Sequence, residues 1–119
     1  MKKNGTLLVL LFLSKIVFAQ DITGLWQSED GSRLYEITKV ANVYTAKIIE
    51  SKRPADKVGT LVLNNIVYKN TKQHFEGAII SADDGTAAFT KIKAGNDELK
   101  FKIRRMFFDF VCIKWRRVR

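Results

Sequence analysis

The sequence predicts an all-β protein: a small eight-stranded antiparallel up-and-down barrel behind a cleaved signal peptide. Three observations lead there. Apolar and polar residues alternate with period two, most cleanly where Leu99, Phe101 and Ile103 stand against Lys100, Lys102 and Arg104. Turn chemistry recurs at short intervals, with Asp30-Gly31 and Asp84-Gly85 tolerating the positive φ of tight hairpins. No stretch after the N-terminus carries convincing helical apolar spacing. A meander of short strands leaves two sheet edges, and closing it on itself removes them.

The first element is the N-terminus. Met1-Lys2-Lys3, an apolar run from Leu7 to Leu13, and Ile16-Val17-Phe18-Ala19 form the charged start, apolar centre and small-residue end of a secretory signal. Cleavage is expected between Ala19 and Gln20, giving a signal at 1–19 and a single domain at 20–119. A membrane anchor needs roughly 20 apolar residues, and Lys15 interrupts this shorter run. The protein is therefore expected to be exported, periplasmic or extracellular, and not transmembrane. No Cys lies near the cut to carry a lipid.

Eight strands follow, at about 22–28, 32–40, 43–50, 59–64, 73–81, 86–93, 97–104 and 110–118. Asn42 and Gly95-Asn96-Asp97 supply further turns, and the lone Pro54 marks the one longer loop, Ser51 to Lys57. The same strands flattened into a sandwich are the alternative, which periodicity does not separate from a barrel. Inward positions include Trp26, Tyr35, Ile37, Tyr44, Ile48, Leu61, Leu63, Phe75, Ile79, Leu99, Phe101 and Ile103, with Ala46, Gly77 and Ala88 as small ones. An eight-stranded lumen holds side chains or one small ligand, so the interior is expected to be mostly filled, with any ligand site shallow and at one mouth.

Charge narrows the partners. Lys2, Lys3 and Lys15 leave with the signal, so the mature chain keeps 18 of 21 basic residues against 12 acidic ones. Its 100 residues suffice for one core without staples. Cys112 is the single cysteine, so there is no internal disulfide and no Cys-based zinc site.

Local motifs carry a resemblance. Gly24-Leu25-Trp26 opens the first strand, and Trp115-Arg116-Arg117-Val118 closes the last. A Gly-x-Trp start with an arginine on the final strand resembles the calycins, the lipocalin-like barrels. The resemblance implies that the Trp plugs one barrel end, with the Arg lying across it. Physically, a guanidinium over an indole gains roughly 0.5–2 kcal/mol at about 6 Å or closer. Over nearly the whole mature length the chain is also similar to an exported bacterial family, domain of unknown function two-one-four-seven. The shared features are Gly24, Trp26, Tyr44-x-Ala46-Lys47-Ile48, Gly59, Phe75-x-Gly77, Asp84-Gly85, Trp115, Arg117 and Val118. Phe75 stands where that family usually has Trp, and Ala88 where it has Tyr. The family implies a fold and no activity.

The candidate chemistry is sparse. His74 is the only histidine, has no second ligand at metal spacing, and is expected on the surface. Cys112, in Phe110-Val111-Cys112-Ile113, is expected to be packed and inert. Asp83-Asp84-Gly85-Thr86 has too few oxygen ligands for calcium and reads as a turn. Ser28, Ser32, Ser51 and Ser81 lie in no nucleophile motif, and nothing calls for a cofactor. Lys100, Lys102 and Arg104 share one face of the seventh strand; Lys114 and Arg116 share one face of the eighth. Paired, they form a cationic stripe suited to an anionic envelope component, or a solvated outer face. Nucleic acid is excluded for an exported chain without interleaved exposed aromatics. Phe107 and Phe108, in Arg105-Met106-Phe107-Phe108-Asp109-Phe110, are either a barrel cap or a partner patch. The expected function is a non-enzymatic exported binding or structural module of the cell envelope; the first alternative is a carrier of a small apolar ligand in the barrel mouth, and the second a binder of anionic envelope surface through the basic stripe.

Overall fold

The computed structural model describes residues 21–104 and 110–118. Eight strands run β1 (Gly24–Ser28), β2 (Arg33–Val40), β3 (Val43–Ser51), β4 (Leu61–Lys69), β5 (His74–Ile80), β6 (Ala87–Ala94), β7 (Glu98–Arg104) and β8 (Phe110–Arg117). Each pairs antiparallel with the next, and β8 returns to β1 through Trp26↔Arg117, Gln27↔Arg116 and Ser28↔Trp115. The sheet is thus a closed up-and-down barrel, and the sandwich is set aside. The expected signal at 1–19 and the expected Phe107 and Phe108 patch lie outside the described residues. Among the described residues no helix is long and apolar enough to cross a membrane.

The turns do what their residues permit. Ala41 and Asn42 both take positive φ (51° and 66°) in the two-residue β2–β3 turn, the geometry that matches strand twist. Gly31 and Gly85, both at φ 76°, serve the β1–β2 and β5–β6 turns.

Side chains fill the lumen. Trp26, Ile37, Ile48, Leu63, Phe75 and Phe101 are fully buried. Tyr35 stacks on Trp115 with centroids 3.9 Å apart, and Phe101 tilts against the same indole at 4.6 Å. A second cluster sets Tyr44 and Tyr68 edge-on to Phe75 at 5.4 and 4.9 Å. Such geometries add to the area these rings bury. Thr90 is the one fully buried polar residue among those described, and its hydroxyl donates to the Lys102 carbonyl at 3.1 Å.

The largest departure from expectation is β4, which begins at Leu61 and runs to Lys69 rather than stopping near 64. Asn65 sits at φ 53°, and the pairing with β5 shifts register between Asn64 and Val67. A second shift, opposite Ala46 and Lys47, lets adjacent Val62 and Leu63 both be buried. An inserted residue re-phases a strand, so Ile66 is buried three positions after Leu63. The core also takes Ile22, Ile92 and Trp115. Leu61, Ile79 and Ile103 are only partly buried.

Cys112 corrects a second expectation: it is exposed. Trp115 is buried and Arg117 turns to the lumen end, so alternation sends Phe110, Cys112, Lys114 and Arg116 outward. The apolar run around Cys112 conceals that parity, which counting back from Trp115 reveals.

Candidate functional site

One barrel end is sealed. The Trp26 indole N–H donates to the Ile22 carbonyl at 2.9 Å, and the Arg117 guanidinium lies 4.3 Å from the indole centroid. Arg117 also donates to the Thr23 carbonyl (3.1 Å) and the Asp21 carbonyl (3.2 Å), tying the incoming chain across the opening. Gly24 takes φ 125°, and a Cβ there would stand 3.3 Å from Arg117 Nη1, so glycine serves both the backbone and the space. Trp115 belongs to the next layer, against Tyr35.

The opposite mouth carries a polar network drawn from three loops. Arg33 clamps Asp56 with Nε–Oδ2 at 2.6 Å and Nη2–Oδ1 at 3.0 Å, and reaches Asp83 at 3.3 Å. Ser51 donates to Asp56 at 2.6 Å. Asp30 accepts from the Ser32 backbone, the Ser28 and Ser32 hydroxyls, and Arg53. The Arg33 guanidinium, helped by Ser51, pulls the Asp56 carboxyl from 3.8 to about 2. The Ser32 amide and hydroxyl, with Ser28 and Arg53, hold Asp30 well below the usual carboxylate range. Burial pushes the Tyr35 phenol up. A carboxyl depressed in the fold stabilises it above the unfolded value, and that contribution is lost as pH falls through the folded value. Asp56→Asn is therefore expected to lower the urea midpoint at neutral pH. The gap from wild type should narrow as pH falls from 3.8 to about 2, followed by denaturation at stepped pH. A constant gap would count against Asp56.

Beside this network, a hollow of about 920 Å³ opens at the mouth, with Ile79, Ala88, Ile103 and Val111 inside and Asp84, Thr86 and Arg104 at its rim. The Asp84 carboxylate accepts from the Thr86 amide and hydroxyl at 3.0 and 2.8 Å, which makes 81–86 a tight turn.

The outer face of β6–β8 is cationic in register. Lys93 faces Lys100, and Lys100 faces Lys114; one step along, Lys91 faces Lys102, and Lys102 faces Cys112. Lys72 and His74 join these lysines around a groove of about 470 Å³. The expected residues Lys100, Lys102 and Lys114 come together here. Arg104 continues the face toward the mouth, 5.3 Å from the Phe89 ring, and Arg116 continues it the other way, opposite Glu98. Lys91 and Lys93 extend the stripe beyond the expected residues, and the alternation of Thr90-Lys91-Ile92-Lys93 is the sequence signal for them. Among the described residues, Lys100 has Glu98 at 3.8 Å, while Lys91, Lys93, Lys102 and Lys114 have no ion pair.

No family model, curated protein or solved structure matches this chain. The barrel itself is consistent with a calycin-like fold.

His74 is half-buried rather than free on the surface, and shares a 2.7 Å hydrogen bond with Glu76, which also takes Lys72 at 3.3 Å. Those contacts, His74 first, lower the Glu76 carboxyl. Among the described residues no three His, Cys, Asp or Glu side chains converge as a metal site. Ser28, Ser32 and Ser51 spend their hydroxyls on Asp30 and Asp56, not on a base.

Proposed function

We propose that this chain is a non-enzymatic exported module of the cell envelope that holds an anionic envelope component against the outer face of β6–β8. One observation carries the proposal: lysines sit directly opposite lysines across three strands. Like charges in register destabilise a sheet, and a face that serves only solubility intersperses the two signs. An anionic partner offsets the repulsion. Export rests on the N-terminal pattern of Lys2, Lys3, Leu7 to Leu13 and Ala19. Membership of the exported bacterial family named above is part of the same reading, supported by the order of its short motifs.

Lys102 has Lys91 across from it and Lys100 and Arg104 two residues either side on its own face. Lys102→Glu is expected to stabilise the fold by about 0.5–1 kcal/mol, raising Tm by roughly 2–8 °C. Binding to soluble polyphosphate should weaken about tenfold or more. Calorimetry and a titration at low salt read both effects. A variant that is no more stable, and that binds as the parent does, would overturn the proposal.

A second reading, carriage of a small apolar ligand, has the mouth hollow in its favour. The ring clusters leave the lumen below it filled, so such a ligand would lie at the rim. Apolar dye binding that persists at high salt belongs to this hollow; salt-sensitive anion binding belongs to the lysines.

A further inference from the structure

We infer that the partner of the cationic face is an anionic phospholipid bilayer, met with the barrel mouth end down. The inference rests on the anion-holding reading above and deepens it. Its starting point is the order of residues along the face. Outward positions of β7 run Glu98, Lys100, Lys102, Arg104 toward the mouth, each step about 6.6 Å. At the Arg104 level the face changes character. Phe110 is its register partner on β8, and Phe89 of β6 lies 5.3 Å from its guanidinium. Both rings are open to solvent, Phe89 at 37% and Phe110 at 46%.

The face therefore has layers: two exposed rings with an arginine between them, then the Lys91–Lys102 row, then the Lys93–Lys100–Lys114 row, then Glu98 opposite Arg116. A bilayer surface is layered in the same sequence, from acyl chains through lipid phosphates to water. With the mouth end down, the two phenylalanines enter the acyl–headgroup boundary and Arg104 sits among the phosphates. The long lysine stems let their ammonium groups reach headgroups from above. Glu98 stays farthest out, where a carboxylate meets no phosphate. A soluble polyanion needs the lysines alone and leaves the rings unexplained. Spanning is a different matter, because it would place unpaired lysines of three strands against hydrocarbon.

The test uses the mature chain in vesicle sedimentation at about 0.1 M salt. Phosphatidylcholine vesicles are compared with vesicles containing roughly 30% phosphatidylglycerol. Soluble polyphosphate is titrated in parallel. The wild type is expected to pellet with the anionic vesicles and not with the neutral ones. The double variant Phe89→Ser/Phe110→Ser is expected to lose about tenfold or more in vesicle affinity and to keep polyphosphate binding within about twofold. Lys102→Gln/Lys114→Gln is expected to lose roughly 25-fold on vesicles, about fivefold per charge, and to weaken on polyphosphate too. All four side chains point to solvent, and circular dichroism melting confirms that each variant folds. Wild-type binding to polyphosphate but not to anionic vesicles would overturn the bilayer inference and leave the anion-holding reading standing. Unchanged vesicle binding in the phenylalanine variant would also overturn the bilayer inference. Binding to neither probe would overturn both.

Discussion

Trp26→Ala is expected to remove about 3–5 kcal/mol of stability, a large part of the 5–15 kcal/mol that holds a domain of this size folded. The indole is fully buried at the sealed end, so truncation opens a cavity that the rigid strand ends of β1 and β8 collapse into poorly. Two further interactions go with it. The Ile22 carbonyl loses its donor, and Arg117 loses the ring it lies on. Trp26→Phe separates these contributions. It keeps a ring under the guanidinium but removes the N–H, and is expected to cost less, about 1–2 kcal/mol. Urea denaturation followed by far-ultraviolet circular dichroism reads both, without relying on indole fluorescence. An alanine variant within 1 kcal/mol of wild type would mean that the plug carries little of the fold.

Gly77→Ala should cost about 2–3 kcal/mol, opposite in sign to the usual gain on replacing glycine where the backbone permits a side chain. Gly77 needs space, not an unusual backbone: a Cβ there would stand 2.6 Å from the Asn65 carbonyl oxygen and 2.5 Å from Ile66 Cδ1. The oxygen belongs to the β4 bulge and cannot swing aside as a side chain would. Ile66→Val removes the Cδ1 half of the clash. The double variant is therefore expected to recover part of the loss, so the two changes are non-additive in denaturation midpoints. Additive losses would place the strain elsewhere.

Both sites show what the linear chain carries. Gly24-x-Trp26 and Trp115-x-Arg117 mark the two strands that close the barrel, because the indole at the sealed end and the guanidinium that covers it come from neighbouring strands. The alternation of Leu99, Phe101 and Ile103 with Lys100, Lys102 and Arg104 sets the two faces of β7, because a strand turns each successive side chain to the opposite side. An antiparallel meander follows from eight such segments joined by turns at Gly31, Asn42 and Gly85, and only the pairing of β8 with β1 makes it a barrel rather than a sandwich. The strands and turns are local, and local spacing suffices for them.

Other features required the third dimension. Asn64-Asn65 shows no alternation, yet in the barrel it is a bulge inside β4, because the Gly77 opposite it has no side chain to refuse it. The clamp of Arg33 on Asp56 and Asp83 joins residues 23 and 50 positions apart, and only the meeting of loops at one mouth creates it. The lysine rows and the rings beside Arg104 depend on the register of β6 on β7 and β7 on β8, since a one-residue slip would turn one set of side chains to the other face. Composition alone sets that the chain is basic. Which lysines face each other, and that two exposed phenylalanines end their rows, was decided by strand pairing.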